Sequence, residues 1–301
     1  MNAPAADRKI NPETGICFFR VPHPTSLTAF LSQANFEPLM PATDAAVREW
    51  LDYGCVYLNG QRLRQDIELS QDQILRVHTR RKSYWRERQP LKGLIVEETE
   101  DFLVLDKPGG LPTHPTLDNF RDNAKFVLEQ ELGQPMYITH RLDIPTQGLL
   151  LVAKTPEAQR RLNREFSKGR VEKFYRSLNE GLIAPGRLTH AMDPESRVPK
   201  TVVRGEFEGW WTLQTEVLRS GAHGKHFWHE LKLLTGKTHQ IRAQMAECKA
   251  PVLDDYTYGA EKNLTSVERI ALECFRLSFT LRSRTFAISR PHSIIPAALC
   301  P

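Results

Sequence analysis

The chain has 301 residues, 40% of them hydrophobic and 26% charged, with a formal net charge of +5 and a pI of about 8.9. This is a globular composition, long enough for one large domain with an appendage or for two domains, and its charge leans only mildly toward polyanionic partners. No apolar run reaches the ~18–20 residues of a membrane span, and none of signal-peptide length lies in the first twenty residues. Five widely spaced cysteines, with no C-x-x-C pair, argue against a disulfide framework or a zinc site. They predict a reduced, cytoplasmic protein.

Residues 1–25 carry Pro, Gly, Asn and Asp without periodicity and read as a loosely ordered arm. Leu27–Leu31 opens a short helix. A clearer one follows: Thr43 caps it, and Val47, Trp50 and Leu51 supply apolar positions at helical spacing. Val56–Leu58 is a strand, Asn59-Gly60 a hairpin turn, and Ile74–His78 another strand. Between Arg76 and Lys92 stand seven cations against Glu87 alone, with Tyr84 and Trp85 among them. Arginines interleaved with aromatics suit a phosphate backbone with stacked bases. A solvated linker explains the same run.

A larger unit begins near Leu94. Leu94–Val96 and Phe102–Leu105 are strands around an acidic turn, and 123–132 is helical. His140-Arg141-Leu142-Asp143-Ile144-Pro145-Thr146-Gln147-Gly148 is a shaped loop, and the apolar run after it a buried strand. Asp143 beside Arg141 is either a catalytic carboxylate or an ion pair closing the loop. Thr155 caps a helix with Pro156 at its first position; Arg160, Arg164 and Lys168 form one basic face of it. Val171–Leu178 alternates as a strand that puts Tyr175 on the face of Lys173. His226–Leu234 is a further strand, followed by a helix capped near Thr238 with Ile241 and Met245 facing inward. Strands and helices mix without regular βαβ alternation, which predicts an α+β fold.

Two resemblances bear on function. The helix, hairpin and strand within residues 26–79, carried by Val47–Leu51, Gly54–Gly60 and Leu69–Val77, resemble the α-L RNA-binding motif of a small-subunit ribosomal protein and of many RNA-modifying enzymes. The larger unit resembles the RluA family of pseudouridine synthases. His140–Gly148 and its strand look like that family's His-Arg-Leu-Asp-x-x-Thr-Ser-Gly motif. Val104–Leu111 with His114-Pro115, Lys173–Leu178, Leu234–Arg242, and Pro251–Asp255 with Tyr258-Gly259 resemble its other blocks, in the family's order. Gln147 stands where the family has serine, and Asp254 where glycine is common.

The resemblance implies isomerisation of uridine to pseudouridine in ribosomal or transfer RNA, without cofactor or metal, by a monomer. It implies a bent, mixed, largely antiparallel central sheet. Asp143 is then the catalytic carboxylate, Tyr175 a general base or a ring packed on the uracil, and Lys237 the cation paired with Asp143. Arg141 resembles the arginine that fills the space left by a flipped uridine, and His140 orients the loop. Thr146, Ile241 and Arg242 join the substrate-binding set, with Arg80, Arg81, Lys82, Arg160 and Arg164 as phosphate contacts. The predicted organisation is an arm (1–25), an RNA-binding unit (26–79), a basic linker (80–93) and a catalytic domain (94–301). Two other readings stay open: a catalytically silent RNA-binding protein, and a hydrolase using Asp106 or Asp255 as a second acid.

Overall fold

The structure is a computed structural model that describes residues 8–39, 42–82, 89–261 and 269–293. The chain divides into two compact units, Met1–Arg86 with Pro115–Phe126, and Glu87–His114 with Val127–Pro301.

The first unit contains β1 (Arg8–Asn11), β2 (Ile16–Arg20), β3 (Thr25–Ser26), α1 (Leu27–Gln33), α2 (Asp44–Asp52), β4 (Val56–Leu58), β5 (Gln61–Leu63), β6 (Glu68–Leu69) and β7 (Ile74–His78). Five of these strands form a sheet in the order β1-β2-β7-β4-β5. Local chemistry explains the elements. The Thr43 hydroxyl accepts the Ala46 N–H at the start of α2, whose Val47, Trp50 and Leu51 are buried. Asn59 and Gly60 both adopt positive φ, which closes the β4–β5 hairpin.

The reading of 1–25 as a loose arm is corrected over residues 8–20. Ile16–Arg20 alternates in burial as a paired strand, and Cys17 and Phe19 enter the core with Leu27, Leu31 and Trp50. The Pro115–Phe126 segment also belongs to this unit rather than to the larger one. Its backbone is fastened by hydrogen bonds: Tyr57 Oη donates to Leu117 O at 2.9 Å, and Phe120 N–H donates to Tyr53 O at 2.8 Å. Such an excursion leaves no periodic signal in the sequence. Tyr84, Trp85, Arg86 and Arg88 of the basic run lie outside the described residues.

The second unit contains β8 (Ile95–Glu98), β9 (Phe102–Lys107), α3 (Ala124–Leu132, which spans the unit boundary), β10 (Tyr137–Ile138), β11 (Gln147–Ala153), α4 (Pro156–Ser167), β12 (Glu172–Asn179), β13 (Gly186–Met192), β14 (Val202–Arg204), β15 (Trp211–His223), β16 (His226–Leu233), α5 (Gln240–Glu247), β17 (Leu272–Leu281) and β18 (Arg284–Ser289). The sheet runs β14-β13-β15-β16-β12-β17-β11-β9-β8, with β10 on β11 and β18 on β17. Among the described residues only β11 and β17 pair in parallel, so the sheet is mixed and largely antiparallel, in keeping with an α+β fold. Every residue of β11 is buried, as expected for a strand covered on both faces.

The centre of this sheet sets the spacing of two loaded segments. Cys274 on β17 faces Gly148 on one side and Tyr175 on the other. The loop ending at Gly148 and the strand bearing Tyr175 are therefore held one strand apart. Gly148 has φ +107°, and a Cβ there would lie 2.3 Å from the Cys274 carbonyl oxygen. Gly148→Ala is therefore expected to destabilise the fold by about 3 kcal/mol or more, read as a lower urea midpoint; an unchanged midpoint would contradict the close β11–β17 approach.

Among the described residues, no helix is long and apolar enough to cross a membrane. The described cysteines Cys17, Cys55, Cys248 and Cys274 are free.

Candidate active site

Three segments converge on one cavity of about 730 Å³ in the second unit, a size typical of small-molecule sites (~300–1,000 Å³). They are the loop between β10 and β11, the start of β12, and the turn leading into α5. Asp143, Tyr175, Lys237, Arg141, His140, Thr146, Ile241 and Arg242 all line it.

Asp143 is mostly buried. Arg242 Nη1 lies 3.4 Å from its Oδ2, and His239 Nε2 3.9 Å. The expected pairing of Asp143 with Lys237 is corrected here: the Lys237 ammonium sits 4.3 Å from the centre of the Trp211 ring instead. The cap of α5 is His239, with Lys237 in the preceding turn and Arg242 in the first helical turn. Arg242 is itself fixed. Its Nε and Nη2 donate to the two oxygens of Asp255 at 2.6 and 2.8 Å, and its guanidinium lies 5.0 Å from the Tyr258 ring centre. Bidentate geometry of this kind leaves little freedom in where the third nitrogen points.

His239 takes a left-handed φ of 60°, a strained conformation for a histidine. Its Nδ1 is 3.1 Å from Tyr258 Oη, which also accepts the Lys200 N–H at 2.9 Å. Burial lowers its pKa and the Asp143 carboxylate opposes that, so the imidazole is neutral near pH 7.

Burial raises the Tyr175 phenol well above its ordinary range, with Cys274 and Asp143 adding to the effect, so the phenol keeps its proton. The alternation expected along this strand holds at the site. β12 pairs with β16 in unbroken register, and Lys173 and Tyr175 both line the cavity while Phe174 packs on Phe275; the register shift against β17 places its extra residue at Phe275.

His140 accepts the Leu151 N–H through Nε2 at 3.0 Å and packs on Phe166. Burial pulls it down to about 3, with Lys173 adding to the effect, which suits a neutral ring that orients the loop. The Nδ1 of His140 and the Oγ1 of Thr146 are buried with no hydrogen-bond partner. Each such atom costs ~1–3 kcal/mol, and both residues line the cavity. Arg141 is exposed at the rim and forms no ion pair with a described residue, so the alternative of an Arg141–Asp143 pair is not realised.

The other predicted residues lie elsewhere. Arg160 is exposed on α4, and Arg164 borders a separate hollow of about 260 Å³ with Lys168, Arg170 and Arg282. Arg80, Arg81 and Lys82 belong to the first unit. Arg80 donates to Glu13 O at 3.1 Å, and Arg81 pairs with Glu49 at 2.8 Å over the Tyr53 ring. The Lys82 N–H donates to Asp118 at 2.9 Å. Of the two residues named as a second acid for a hydrolase, Asp255 is held by Arg242 and Asp106 by Arg290 Nε at 2.7 Å.

The sequence of this chain is similar to known proteins over the same region. Residues 101–247 match the family described as RNA pseudouridylate synthase. An uncharacterised RNA pseudouridine synthase of Aquifex aeolicus is 32% identical over 257 residues, 76% of this chain and 77% of that one. The chain belongs to the RluA family of pseudouridine synthases. Ribosomal large subunit pseudouridine synthase D of Neisseria meningitidis serogroup B is 34% identical over 64% of this chain and 55% of its own length. The chloroplastic RNA pseudouridine synthase 6 of Arabidopsis thaliana is 32% identical over 56% of this chain and 40% of its own length. The chain thus spans about half the length of these two relatives. The human protein RNA Pseudouridylate Synthase Domain Containing 1 aligns with a TM-score of 0.53 and 28% identity, covering 67% of this chain and 84% of that one.

Within this RluA-family chain, both departures from the family motif have structural partners. Gln147 Oε1 is 3.3 Å from Arg290, inside a buried cluster with Asp106 and Glu273. Asp254 takes φ +66°, a conformation in which glycine is unstrained and Asp is tolerated.

Lys107 is the supporting residue that sequence reasoning passes over. It is fully buried, and its ammonium donates to the carbonyls of Leu111 (2.7 Å), Pro108 (2.9 Å) and Ile144 (3.4 Å), the last adjoining Asp143. The available signal is a lysine ending an apolar strand just before Pro108-Gly109-Gly110. Burial pulls Lys107 down to about 7, opposed by Asp143 and Asp106. The folded value lies below that of an unfolded lysine (~10.4), so the unfolded chain holds the extra proton between the two. The penalty is full below pH ~7 and relaxes as the pH rises. In urea titrations at pH ~7, ~8 and ~9, wild type is expected to gain stability relative to Lys107→Met as the pH rises. A difference independent of pH would contradict the assignment.

Proposed function

We propose that this chain isomerises uridine to pseudouridine in RNA, with ribosomal RNA as the first class of substrate to test and transfer RNA as the second. It acts as a cytoplasmic monomer, without metal or cofactor. The observation that carries the reading is the Asp143 carboxylate in the wall of a nucleoside-sized cavity, aimed by a guanidinium that is itself locked to Asp255. Names of the relatives support the substrate class: the Neisseria protein is called a ribosomal large subunit enzyme.

The reaction breaks the C1′–N1 bond, turns the uracil, forms C1′–C5, removes the C5 proton and leaves one on N1. Asp143 supplies the carboxylate for separating base from sugar, by attack on the sugar, attack on the base or removal of a sugar proton. Arg242 keeps that carboxylate oriented. Tyr175, buried and holding its proton in the resting site, packs on the uracil in this reading. Arg141, free of any described carboxylate at the rim, fills the gap in the helix when the uridine flips out, a step costing a few kcal/mol. Arg164 and the N-terminal unit, with Arg80 and Lys82, contribute phosphate contacts; Arg81 is already committed to Glu49.

The test is nucleoside analysis of cellular RNA incubated with the purified protein. Pseudouridine should appear with no free uracil. Unmodified RNA, or release of uracil, would overturn the reading.

A further inference from the structure

The β14–β15 connection carries a feature that the isomerisation does not use. Gly205 and Gly209, both at positive φ, bend residues 205–210 into a tight turn, and Trp210 N–H bonds back to Phe207 O at 3.1 Å. The turn presents Phe207, packed on Trp210 at 4.7 Å, and delivers Trp211 at the first position of β15. Phe207 is 57% exposed and Trp211 41%. Burying large aromatic surface is strongly favourable, so two exposed rings in one turn call for a partner.

Position and charge select that partner. Lys237, which lines the active cavity, holds its ammonium 4.3 Å from the centre of the Trp211 ring. Trp211 therefore lies one residue from the cavity wall. The same turn carries exposed Glu206 and Glu208. Two carboxylates repel a backbone phosphate placed on the turn but tolerate a base plane, which carries no charge. A base paired inside a duplex offers only its edge, whereas an unpaired base offers a face.

We infer that Trp211, beside Lys237 at the edge of the cavity, is a stacking subsite for an unpaired nucleobase adjoining the target uridine. The inference rests on the proposed reading of the cavity as an RNA site and deepens it: the substrate is single-stranded next to the reacting nucleotide. Lys237 then serves at the junction of the two sites, polarising the ring and meeting the phosphate that joins the two nucleotides.

The test measures binding of full-length protein to fluorescein-labelled decauridine and to a ten-base-pair RNA duplex. Stacking is worth ~1–3 kcal/mol per base, so Trp211→Ala should weaken decauridine binding about 5- to 150-fold. It should leave duplex binding unchanged, and Trp211→Phe should restore most of the loss. Unchanged decauridine binding by Trp211→Ala, an equal loss on both probes, or no decauridine binding by wild type would overturn the inference. Pseudouridine formation in cellular RNA by the same preparations separates the two levels. Activity with any of those binding results sinks the subsite alone; a wild type that forms no pseudouridine sinks the reading beneath it.

Discussion

Asp143→Asn is expected to lower pseudouridine formation by at least ~10³-fold while RNA binding stays within a few-fold. Asparagine fits the space of the carboxylate but brings neither its negative charge nor its nucleophilic oxygen, so the step that frees the base loses its reagent. The scaffold has reason to survive. Arg242 keeps its two bonds to Asp255, and the loop keeps its own fastenings: Thr146 N–H to Asp143 O at 3.1 Å, and the Thr113 hydroxyl to Leu142 O at 2.9 Å. Single-turnover assays with equal amounts of bound RNA check this. Activity within about tenfold of wild type would remove Asp143 from the chemistry.

The second large effect is at Arg242. Arg242→Met leaves Asp255, 1% exposed, and the largely buried Asp143 without their cation. Breaking a buried ion pair by removing one partner costs ~3–5 kcal/mol, because the remaining charge stays desolvated. The variant should unfold at markedly lower urea concentration and lose ~10²- to 10³-fold in activity, the range for removing one aimed electrostatic group. Replacing Arg242 and Asp255 together by Met and Leu separates the two consequences. Stability should return in large part, since no buried charge is left at 255, while activity should not. Full activity in the double variant would mean that Asp143 needs no guanidinium. Lys237→Met, by contrast, should leave stability near wild type, since the Lys237 ammonium faces Trp211 and holds no described carboxylate.

How far the sequence reveals this arrangement depends on the range of the interaction. Caps and turns are local and therefore legible: Thr43 before α2, Thr155-Pro156 before α4, and Asn59-Gly60 in the β4–β5 hairpin all act within three residues of themselves. The apolar run of β11 is legible because burial on both faces leaves no alternation to misread. Asp143, Tyr175 and the α5 approach are brought together by resemblance, and the sheet supplies the physical reason in the Gly148–Cys274–Tyr175 register. The failures are non-local. Ile16–Arg20 needs β7 before it is a strand. Residues 115–126 leave one unit for the other with nothing periodic to mark it. The cation on Asp143 is Arg242, whose guanidinium is aimed by Asp255 thirteen residues away, a contact that no local pattern marks. The stacking turn at Phe207–Trp211 escapes notice because two glycines and two glutamates read as an ordinary loop.

The most direct measurement tracks the hydrogen that isomerisation must expel. RNA labelled with tritium at C5 of uridine, prepared from cells lacking this protein, is incubated with wild type and with Asp143→Asn. Catalysis by Asp143 predicts tritium release to water from wild type, matched one for one by pseudouridine, and release at least ~10³-fold slower from the variant. No release from wild type, or equal release from both, would contradict it.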